Sequence, residues 1–323
     1  MLDYAVVAEK LERRYGDLRA VDRVDLAVPR GEIYGFLGPN GAGKSTMVRM
    51  LTTLLMPTSG SATVAGRDVV SEPVEVRLRI GAALQDAALD PKQTGLELLR
   101  LQGQLYGMPG RVITDRIKEL ESLMDIGDAV GRQIGTYSGG MKRRLDLAAS
   151  LIHNPEIIFL DEPTAGLDPI GRTKVWDEVR RINRDLGVTV FLTTQYLEEA
   201  DALADRVGII NQGVLAREGA PAELKRAIGL DVIIARVDGD AESAKKAMER
   251  IDAVERVDAY QNELSIRVTN GAGLISTVAV ALSEAGVRVQ ELTLRTPTLD
   301  DVFLSVTGGH LVADEQPVKE EVE

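Results

Sequence analysis

Three short apolar runs stand out in the first two thirds of the chain. They cover residues 33–37, 157–160 and 189–193, and the last two are flanked by polar segments of helical pattern. Strands made almost entirely of apolar or β-branched residues are typical of a parallel sheet that helices cover on both faces. The pattern therefore predicts an α/β domain in which the last two runs form central strands.

A different order of elements follows Gly229. The pattern predicts a strand over 231–237, a helix over 241–251, strands around Arg256 and Ile266, a helix over 271–285 and a strand over 287–294. This β-α-β-β-α-β order indicates a small α+β domain of ferredoxin-like type. We therefore predict an α/β domain over 1–228, an α+β domain over 229–310, and an acidic disordered tail over 311–323.

The composition is compatible with two folded domains and excludes several kinds of function. The 323 residues are 44% hydrophobic and 27% charged, which is ordinary for a folded protein. The formal net charge of −12 argues against nucleic acid as a partner, because such binding needs a clustered basic surface. Cysteine is absent, which excludes disulfides and thiol catalysis. The two histidines, His153 and His310, lie far apart, so structural roles are expected for them rather than metal binding.

Membrane insertion is not expected from the sequence. No apolar run approaches the ~20 residues that a membrane-spanning helix needs, and the stretch over 274–282 is interrupted by Ser276 and Thr277. The first residues lack the basic and apolar regions of a secretory signal. We therefore predict a cytoplasmic protein.

The strongest candidate for chemistry is a glycine-rich segment directly after the first predicted strand. It consists of Gly38, Pro39, Asn40, Gly41, Ala42, Gly43, Lys44, Ser45 and Thr46, and it opens a predicted helix over 46–55. This segment matches the phosphate-binding P-loop in both pattern and context. Its backbone N–H groups would face phosphate at a helix N-terminus, and Lys44 would reach the terminal phosphates. Ser45 is the expected Mg²⁺ ligand, and Thr46 is available for a further phosphate contact.

A second candidate is a pair of carboxylates at the end of the apolar run over 157–160. Asp161 would hold Mg²⁺ through water, and Glu162 would orient and deprotonate the attacking water. Alone, the run is also compatible with a buried strand that leads into an acidic turn. Together with the P-loop it predicts a P-loop NTPase.

The segment between these two motifs indicates which kind of NTPase this is. Tyr137 is followed by Ser138, Gly139 and Gly140, and a helix is predicted over 145–152. This segment resembles the signature loop of ATP-binding cassette (ABC) ATPases, with Tyr in place of the usual Leu. The resemblance implies that Ser138, Gly139 and Gly140 cap the γ-phosphate held by the P-loop of a second copy. On its own, such a sequence is also a common flexible turn.

The resemblance extends over about the first 225 residues and assigns further roles. Tyr15 matches the aromatic residue that stacks on adenine, and Gln85 matches the loop glutamine that senses Mg²⁺ and touches the membrane partner. Asp168 lies in a segment that resembles the loop that carries information across the dimer. Packing of Tyr15 within a strand, a solvated loop for Gln85 and a simple turn at Asp168 are the alternatives.

The chain departs from the family pattern at one position. Gln195 stands where most of these ATPases carry a switch histidine. A glutamine amide can donate to a phosphate oxygen or position water, but it carries no charge and relays no proton. We therefore predict that hydrolysis persists, at a reduced rate, with Glu162 as the main base and with Gln195 and Lys44 as its catalytic partners.

Gln195, Tyr137 and the closing segment over 298–304 together resemble the ATPases of daunorubicin and doxorubicin resistance exporters. The resemblance implies ATP and Mg²⁺ as cofactors, a homodimer, and a separate integral membrane permease that exports hydrophobic drugs, polyketides or lipids. It also implies that the C-terminal domain stabilises or regulates the dimer. The apolar residues over 302–304 are either a dimer contact or part of the domain's own core.

Two other functions are compatible with parts of the pattern. A soluble ABC-type ATPase of translation or DNA repair would normally carry a second cassette or a long coiled-coil insertion, and neither is present in the sequence. A nucleotide sensor without hydrolysis is suggested by Gln195 alone. Lys44, Asp161 and Glu162 favour an active enzyme. The resemblance implies that it is bound to the cytoplasmic face of the membrane through its permease.

Overall fold

The structure is a computed structural model that describes residues 3–84, 89–238, 241–260 and 262–307. It divides into one unit within Met1–Pro221 and a second unit, Ala222–His310. The predicted boundary after residue 228 falls later than this division, on the far side of a helix at Pro221–Ile228. Gln85, His310 and the predicted tail over 311–323 lie outside the described residues.

The first unit combines two sheets with the helices that cover them. Its elements and the helix that follows it are β1 (Tyr4–Tyr15), β2 (Leu18–Pro29), β3 (Ile33–Leu37), α1 (Lys44–Leu51), β4 (Ser59–Val64), β5 (Arg67–Asp68), α2 (Pro73–Arg77), β6 (Ile80–Ala83), α3 (Gly95–Leu105), α4 (Gly110–Met124), α5 (Gly139–Leu151), β7 (Ile157–Asp161), α6 (Pro169–Leu186), β8 (Thr189–Thr194), α7 (Leu197–Leu203), β9 (Arg206–Asn211), β10 (Val214–Gly219) and α8 (Pro221–Ile228).

The larger sheet confirms the predicted α/β architecture. Its strand order is β10-β9-β3-β8-β7-β6, and all neighbours are parallel except β9 and β10. Phe191 on β8 packs against Phe159 on β7 and Tyr34 on β3, with ring centroids 5.5 and 5.4 Å apart. Because β3, β7 and β8 run parallel and adjacent, the segments that follow them meet at one edge of the sheet.

A second, antiparallel sheet was not predicted from the sequence. Its order is β2-β1-β4-β5, and its inward residues include Val6, Leu11 and Val24, which are fully buried or nearly so. A tight turn with Gly16 at φ 58° joins β1 to β2 and pairs Tyr15 with Leu18. This turn places Tyr15 at the end of a strand, in a position from which it reaches the edge of the first unit's cavity.

Two predicted helices have different limits in the structure. Helix α1 covers Lys44–Leu51 instead of 46–55, because the left-handed backbone of Thr53 (φ 63°) ends it. Helix α5 begins at Gly139 instead of 145. Its first residues are glycines of low helix propensity, which hide the start of the helix in the sequence. The Ser138 hydroxyl accepts from the Met141 N–H at 3.3 Å and caps this end.

The second unit has the predicted ferredoxin-like order. Its elements are β11 (Asp231–Asp238), α9 (Ala241–Met248), β12 (Val254–Tyr260), β13 (Glu263–Val268), α10 (Gly271–Glu284), β14 (Arg288–Arg295) and α11 (Leu299–Thr307). The strands form an antiparallel sheet of order β12-β13-β11-β14. Ile233, Leu264 and Val278 are fully buried in its core.

The closing segment of the second unit forms α11. Thr298 and Asp301 cap this helix reciprocally: the Thr298 N–H donates to Asp301 Oδ2 at 2.8 Å and the Asp301 N–H donates to Thr298 Oγ1 at 3.3 Å. Val302 and Phe303 are buried within a single copy of the chain. These two side chains are therefore not free to form a dimer contact. Across the residues that the structure describes, no helix is long and apolar enough to cross a membrane.

Candidate nucleotide-binding site

In the segment between β3 and α1, the backbone accepts only glycine at two positions, Gly38 and Gly43. Gly43 has φ 110°, and a Cβ there would lie 2.2 Å from the Ala20 carbonyl oxygen. A Cβ on Gly38 would lie 2.5 Å from the Ile210 carbonyl oxygen. The loop is therefore pressed against neighbouring backbone, and its shape is fixed by contacts within its own chain.

Lys44 is the buried charge of this loop. Its side chain is 4% exposed, and Nζ donates to the carbonyl oxygens of Gly38 at 2.7 Å and Pro39 at 3.2 Å. The third neighbour of Nζ is Glu162 Oε1, at 3.2 Å. A buried ammonium needs such partners, so Lys44 is held at the centre of the loop and close to the predicted base.

Thr193 on β8 bonds to the side chain of Asp161 and to the backbone of Glu162. Its hydroxyl donates to Asp161 Oδ1 at 2.5 Å. The Glu162 N–H donates to the carbonyl oxygen and to the hydroxyl of Thr193, at 3.1 and 3.0 Å. Glu162 has φ 49°, a left-handed conformation that costs a non-glycine residue about 1–3 kcal/mol. The two bonds to Thr193 stabilise this conformation.

One cavity of about 620 Å³ brings most of the predicted residues together. Its lining is Tyr15, Leu18, Ala20, Pro39, Asn40, Gly41, Gly43, Lys44, Ser45, Thr46, Glu162, Ala165, Gly166, Gln195 and Tyr196. Gly38, Ala42 and Asp161 belong to the same segments but are buried and do not line the cavity. The cavity thus combines a phosphate-binding loop, a carboxylate and an amide.

An exposed aromatic ring borders this cavity. Tyr15 is 44% exposed, and the guanidinium of Arg13 lies 4.7 Å from its ring centroid. Leu18, its partner across the turn, is 66% exposed. An exposed ring with an apolar neighbour offers a surface on which a planar base can stack.

The predicted metal ligands offer hard oxygen donors. Ser45 presents a hydroxyl to the cavity, and the Asp161 carboxylate lies at the end of β7. This chemistry suits Mg²⁺, which takes few protein oxygens and keeps several waters. The donor set therefore fits the cation, whereas Gln85, the third predicted ligand, lies outside the described residues.

The signature loop, residues 138–140, does not line the cavity. Ser138 and Gly139 are exposed, and a Cβ on Gly139 or Gly140 would meet nothing within 4 Å. Asp168 is also exposed and caps α6, with Oδ1 accepting from the Gly171 N–H at 2.6 Å. Within one chain, these predicted residues are separate from the nucleotide cavity.

Tyr137, the unusual residue before this loop, has a structural role within the chain. It is 6% exposed, and its hydroxyl donates to the Ala129 carbonyl oxygen at 2.5 Å. The ring occupies space beside Gly95, where a Cβ would lie 2.7 Å from the Tyr137 hydroxyl. Tyr137 therefore makes a hydrogen bond at a position where the usual leucine would make only apolar contacts.

Sequence reasoning missed the roles of Thr193 and Tyr196. Thr193 was predicted only as part of a strand, although it bonds to both Asp161 and Glu162. Tyr196 follows Gln195 and lines the cavity, and its ring stacks on the Arg172 guanidinium 4.0 Å away. The available signal was the position of both residues at the carboxyl end of a central strand, where ligands bind in such sheets.

Two family models match the chain. Residues 21–165 match the model described as ABC transporter. Residues 219–307 match the model described as ATP-binding protein DrrA1-3-like, C-terminal domain. The two matches fall on the segment that contains the P-loop and signature loop, and on the segment that contains the ferredoxin-like fold.

Curated relatives align along nearly the full chain. The daunorubicin resistance ATP-binding protein DrrA3 of Streptomyces coeruleorubidus is 48% identical and covers 99% of both chains. The doxorubicin resistance ATP-binding protein DrrA of Mycobacterium tuberculosis is 40% identical and covers 94% of both. The linearmycin resistance ATP-binding protein LnrL of Bacillus subtilis is 35% identical, over 94% of this chain and 98% of its own.

Solved structures of ATP-binding cassettes share the fold of the larger unit. CbiO1 from Clostridium perfringens, part of an ABC transporter complex, is 25% identical with a TM-score of 0.65 and covers 77% of this chain and 96% of its own. The cassette MJ0796, solved as a dimer bound to ADP and Pi, is 26% identical with a TM-score of 0.60, over 67% and 98%.

Proposed function

Since this chain belongs to the ABC transporter ATP-binding subunits that carry a DrrA-like C-terminal domain, we propose that it powers the export of hydrophobic drugs, polyketides or lipids. Members of this family bind and hydrolyse ATP, so the chain is an ATPase. The comparisons do not favour a soluble ATPase of translation or DNA repair. The relatives named for daunorubicin, doxorubicin and linearmycin resistance support the drug-export proposal.

The observation that carries the ATP-hydrolysing part of this proposal is the meeting of Lys44, Glu162 and Gln195 in one cavity. The P-loop N–H groups and Lys44 would hold the phosphates, and adenine would stack on Tyr15. For Lys44 to reach a terminal phosphate, its pair with Glu162 has to open. The phosphate then supplies the negative charge that Lys44 needs, and Glu162 becomes free to accept a proton from water.

Gln195 supplies the second contact to the attacked phosphate. Its amide N–H can donate to a γ-phosphate oxygen or hold the attacking water, but its protonation does not change near neutral pH. Mg²⁺, held by Ser45 and by Asp161 through water, would neutralise phosphate charge when bound. The base in this scheme is Glu162, which the two bonds to Thr193 hold in place.

The exposed signature loop indicates that the site is completed by a second copy. Gly139 and Gly140 begin α5, and their backbone N–H groups lie at the N-terminus of a 13-residue helix. Such an end binds phosphate, yet it does not line the cavity of its own chain. A head-to-tail pair of chains would bring each signature loop to the other P-loop, so ATP would join the copies and hydrolysis would release them. The dimeric cassette MJ0796 supports this arrangement.

A smaller cavity supports a proposal for where the permease binds. It measures about 260 Å³ and is lined by residues that follow α1 and by residues of α2, β6, α3 and α5, with Leu54, Gln102, Tyr106 and Asp146 among them. Leu54 is 59% exposed, and Leu101 and Leu105 on α3 add further exposed apolar surface. Burial raises the pKa of Asp146 to about 6. We assign this cavity to a cytoplasmic helix of the permease, which would bury these apolar side chains.

The test is affinity purification of the tagged chain from detergent-solubilised native membranes. Partners are identified by mass spectrometry, and ATP hydrolysis is followed in the same fraction. We expect a stoichiometric polytopic protein that stimulates hydrolysis. Recovery only from the soluble fraction, with ribosomes or no partner, would contradict the exporter proposal.

A pair of variants separates the docking cavity from the nucleotide site. Leu54→Glu should abolish co-purification of the permease while the isolated chain keeps its basal hydrolysis, because Leu54 does not line the nucleotide cavity. Val280→Glu is the control, since Val280 is similarly exposed at 57% and lies in the second unit. Equal recovery of the permease with both variants would rule out docking at this cavity.

A further inference from the structure

One arginine contacts two loops that border the nucleotide cavity outside the P-loop. Arg172 lies in the first turn of α6, and its Nε donates to the Leu167 carbonyl oxygen at 3.1 Å. Its guanidinium also lies 4.0 Å from the ring centroid of Tyr196, which follows Gln195. A single planar group thus joins the 162–168 loop to the switch loop, defined here as Gln195 and Tyr196.

Arginine is suited to this double contact because its edge and its face act independently. The N–H groups donate in the guanidinium plane, whereas the face stacks on an aromatic ring. A cation–π contact contributes about 0.5–2 kcal/mol, depending on its exposure. Lysine keeps the charge but has no planar face and cannot reproduce both contacts with the same geometry.

The switch loop is pinned on both sides of Gln195. The Tyr196 N–H donates to Thr194 Oγ1 at 2.9 Å, which fixes the backbone immediately after Gln195. The preceding residue Thr194 ends β8, and its carbonyl oxygen accepts from the Gly38 N–H at 3.2 Å. The ring of Tyr196 is then held by Arg172, so the direction in which Gln195 enters the cavity depends on Arg172.

A second contact ties the same two helices behind the switch loop. Glu199 on α7 is fully buried, and its Oε1 accepts from Trp176 Nε1 on α6 at 3.1 Å. Arg172 and Trp176 are one turn apart on α6, as are Tyr196 and Glu199 around the start of α7. Burial raises the pKa of Glu199, and the charge of Arg172 opposes this effect. The starts of α6 and α7 are thus joined by two neighbouring contacts.

We propose that Arg172 is a positioning residue that sets the direction of Gln195 through Tyr196 and couples it to the 162–168 loop. Glutamine has a flexible side chain that loses more conformational freedom when fixed than a shorter one does. A backbone that is already fixed on both sides of Gln195 removes the backbone part of this cost, so only the side chain has to be ordered during catalysis. Because the 162–168 loop contains Glu162, Arg172 also fixes the position of this base relative to the amide of Gln195. This inference rests on the proposed roles of Glu162 and Gln195.

The test compares Arg172→Ala, Arg172→Lys, Tyr196→Phe and Tyr196→Leu in steady-state ATP hydrolysis by the full chain. We expect Arg172→Ala and Tyr196→Leu each to lower kcat by about 10-fold, because misplacement of a catalytic group is costly. KM for ATP should stay within about 3-fold, since the phosphate-binding contacts of the P-loop are unchanged. Tyr196→Phe keeps the ring and should lose less kcat than Tyr196→Leu, whereas Arg172→Lys should not rescue kcat.

Arg180→Ala is the matched control. Arg180 lies on the same helix and also ties α6 to the α7 region, with Nη2 donating to the Ala202 carbonyl oxygen at 2.7 Å. It does not line the nucleotide cavity, so its loss should lower stability without changing kcat. The double variant Arg172→Ala/Tyr196→Leu should be no slower than the slower single variant, because both remove the same coupling.

Two results would overturn the proposal. One is a kcat for Arg172→Ala within two-fold of the unmodified chain, and the other is an equal loss of kcat with Arg180→Ala.

Trp176, the single tryptophan of the sequence, provides a readout that does not need turnover. If the unmodified chain binds but does not hydrolyse ATP, the proposed function fails. Arg172 is then judged by the ATP-dependent change in Trp176 emission, which Arg172→Ala should abolish; an equal change in both chains would refute the coupling.

Discussion

The P-loop and the signature loop both contain glycines at the start of a helix, but their surroundings are opposite. In the P-loop, a Cβ on Gly38 or Gly43 would collide with backbone oxygens of the same chain. In the signature loop, a Cβ on Gly139 or Gly140 would meet open space. The first pair of glycines is explained by the fold of one chain. The second pair is not, so we infer that it serves a contact made outside the chain.

The polar side chains of the two loops differ in the same way. Lys44 is buried and already has three oxygen neighbours within its own chain. Ser138 is exposed, and its hydroxyl contacts only the N–H that it caps among the contacts described for it. A preformed half-site and an open half-site on one chain are what a composite site between two copies requires.

The largest expected effect comes from Glu162→Gln. Loss of the general base should reduce turnover by about 10²–10⁴-fold, while ATP still binds and the ATP-joined dimer accumulates. Phosphate release and light scattering with ATP would measure these two properties. Glu156→Gln is the control, because Glu156 precedes the same strand and is partly exposed. Unchanged turnover in Glu162→Gln would remove this residue from the role of base.

The next prediction tests the P-loop and the signature loop separately. Ser138→Arg should reduce hydrolysis by about 100-fold, because the long side chain prevents the contact of its own signature loop with the phosphate, while nucleotide still binds to the intact P-loop. Lys44→Ala should instead weaken ATP binding by about 10–100-fold, as expected for loss of charge-assisted contacts. A mixture of the two variants can form one intact composite site per mixed dimer. Hydrolysis by the mixture should therefore exceed that of either variant alone, and no gain would argue against a composite site.

A pair of alanine substitutions tests the comparison of glycines directly. Gly43→Ala should lower the free energy of unfolding by about 2–4 kcal/mol, through the positive φ and the overlap with Ala20. Gly139→Ala should leave stability unchanged or raise it by up to about 1 kcal/mol, because alanine favours helix. It should nevertheless reduce hydrolysis. Urea unfolding and phosphate release measure the two effects, and full activity in Gly139→Ala would leave this glycine without a role in catalysis.

The sequence predicted those parts of the site that are contiguous. The P-loop and the Asp161–Glu162 pair depend on local spacing after a strand, so their residues could be assigned directly. Thr193 and Arg172 escaped prediction because their partners, Asp161 and Tyr196, lie 32 and 24 residues away in sequence. The antiparallel sheet was also missed: β1–β2 and β4–β5 are joined by short turns, but the pairing of β1 with β4 joins residues distant in sequence, such as Val6 and Val64. The start of α5 was hidden by its glycines.

The smallest expected effect concerns α5, the helix that begins at the signature loop. It tests whether this helix contributes to hydrolysis through its buried side or through its exposed N-terminal end. Glu178 on α6 lies 3.5 Å from Arg144 Nε on α5, and burial raises the pKa of Glu178 to about 7. Its carboxylate binds a proton in the folded chain between about pH 4.5 and 7, where the unfolded chain has lost it. Stability therefore falls as pH rises through this window and stays low above pH 7. Glu178→Gln mimics the protonated form, so it should stabilise the chain by about 1–3 kcal/mol at pH 8 and have no effect at pH 4.

Urea unfolding of the unmodified chain and of Glu178→Gln across this pH range would measure the difference in their free energies of unfolding. His153 and Asp146 are present in both chains, so their contributions cancel in this difference. Hydrolysis per folded molecule should be the same in both chains, because the exposed end of α5 is unchanged. If Glu178→Gln altered turnover as strongly as Ser138→Arg, the buried side of the signature helix would take part in catalysis. The distinction between a structural role for the buried side of α5 and a functional role for the exposed signature loop would then be wrong.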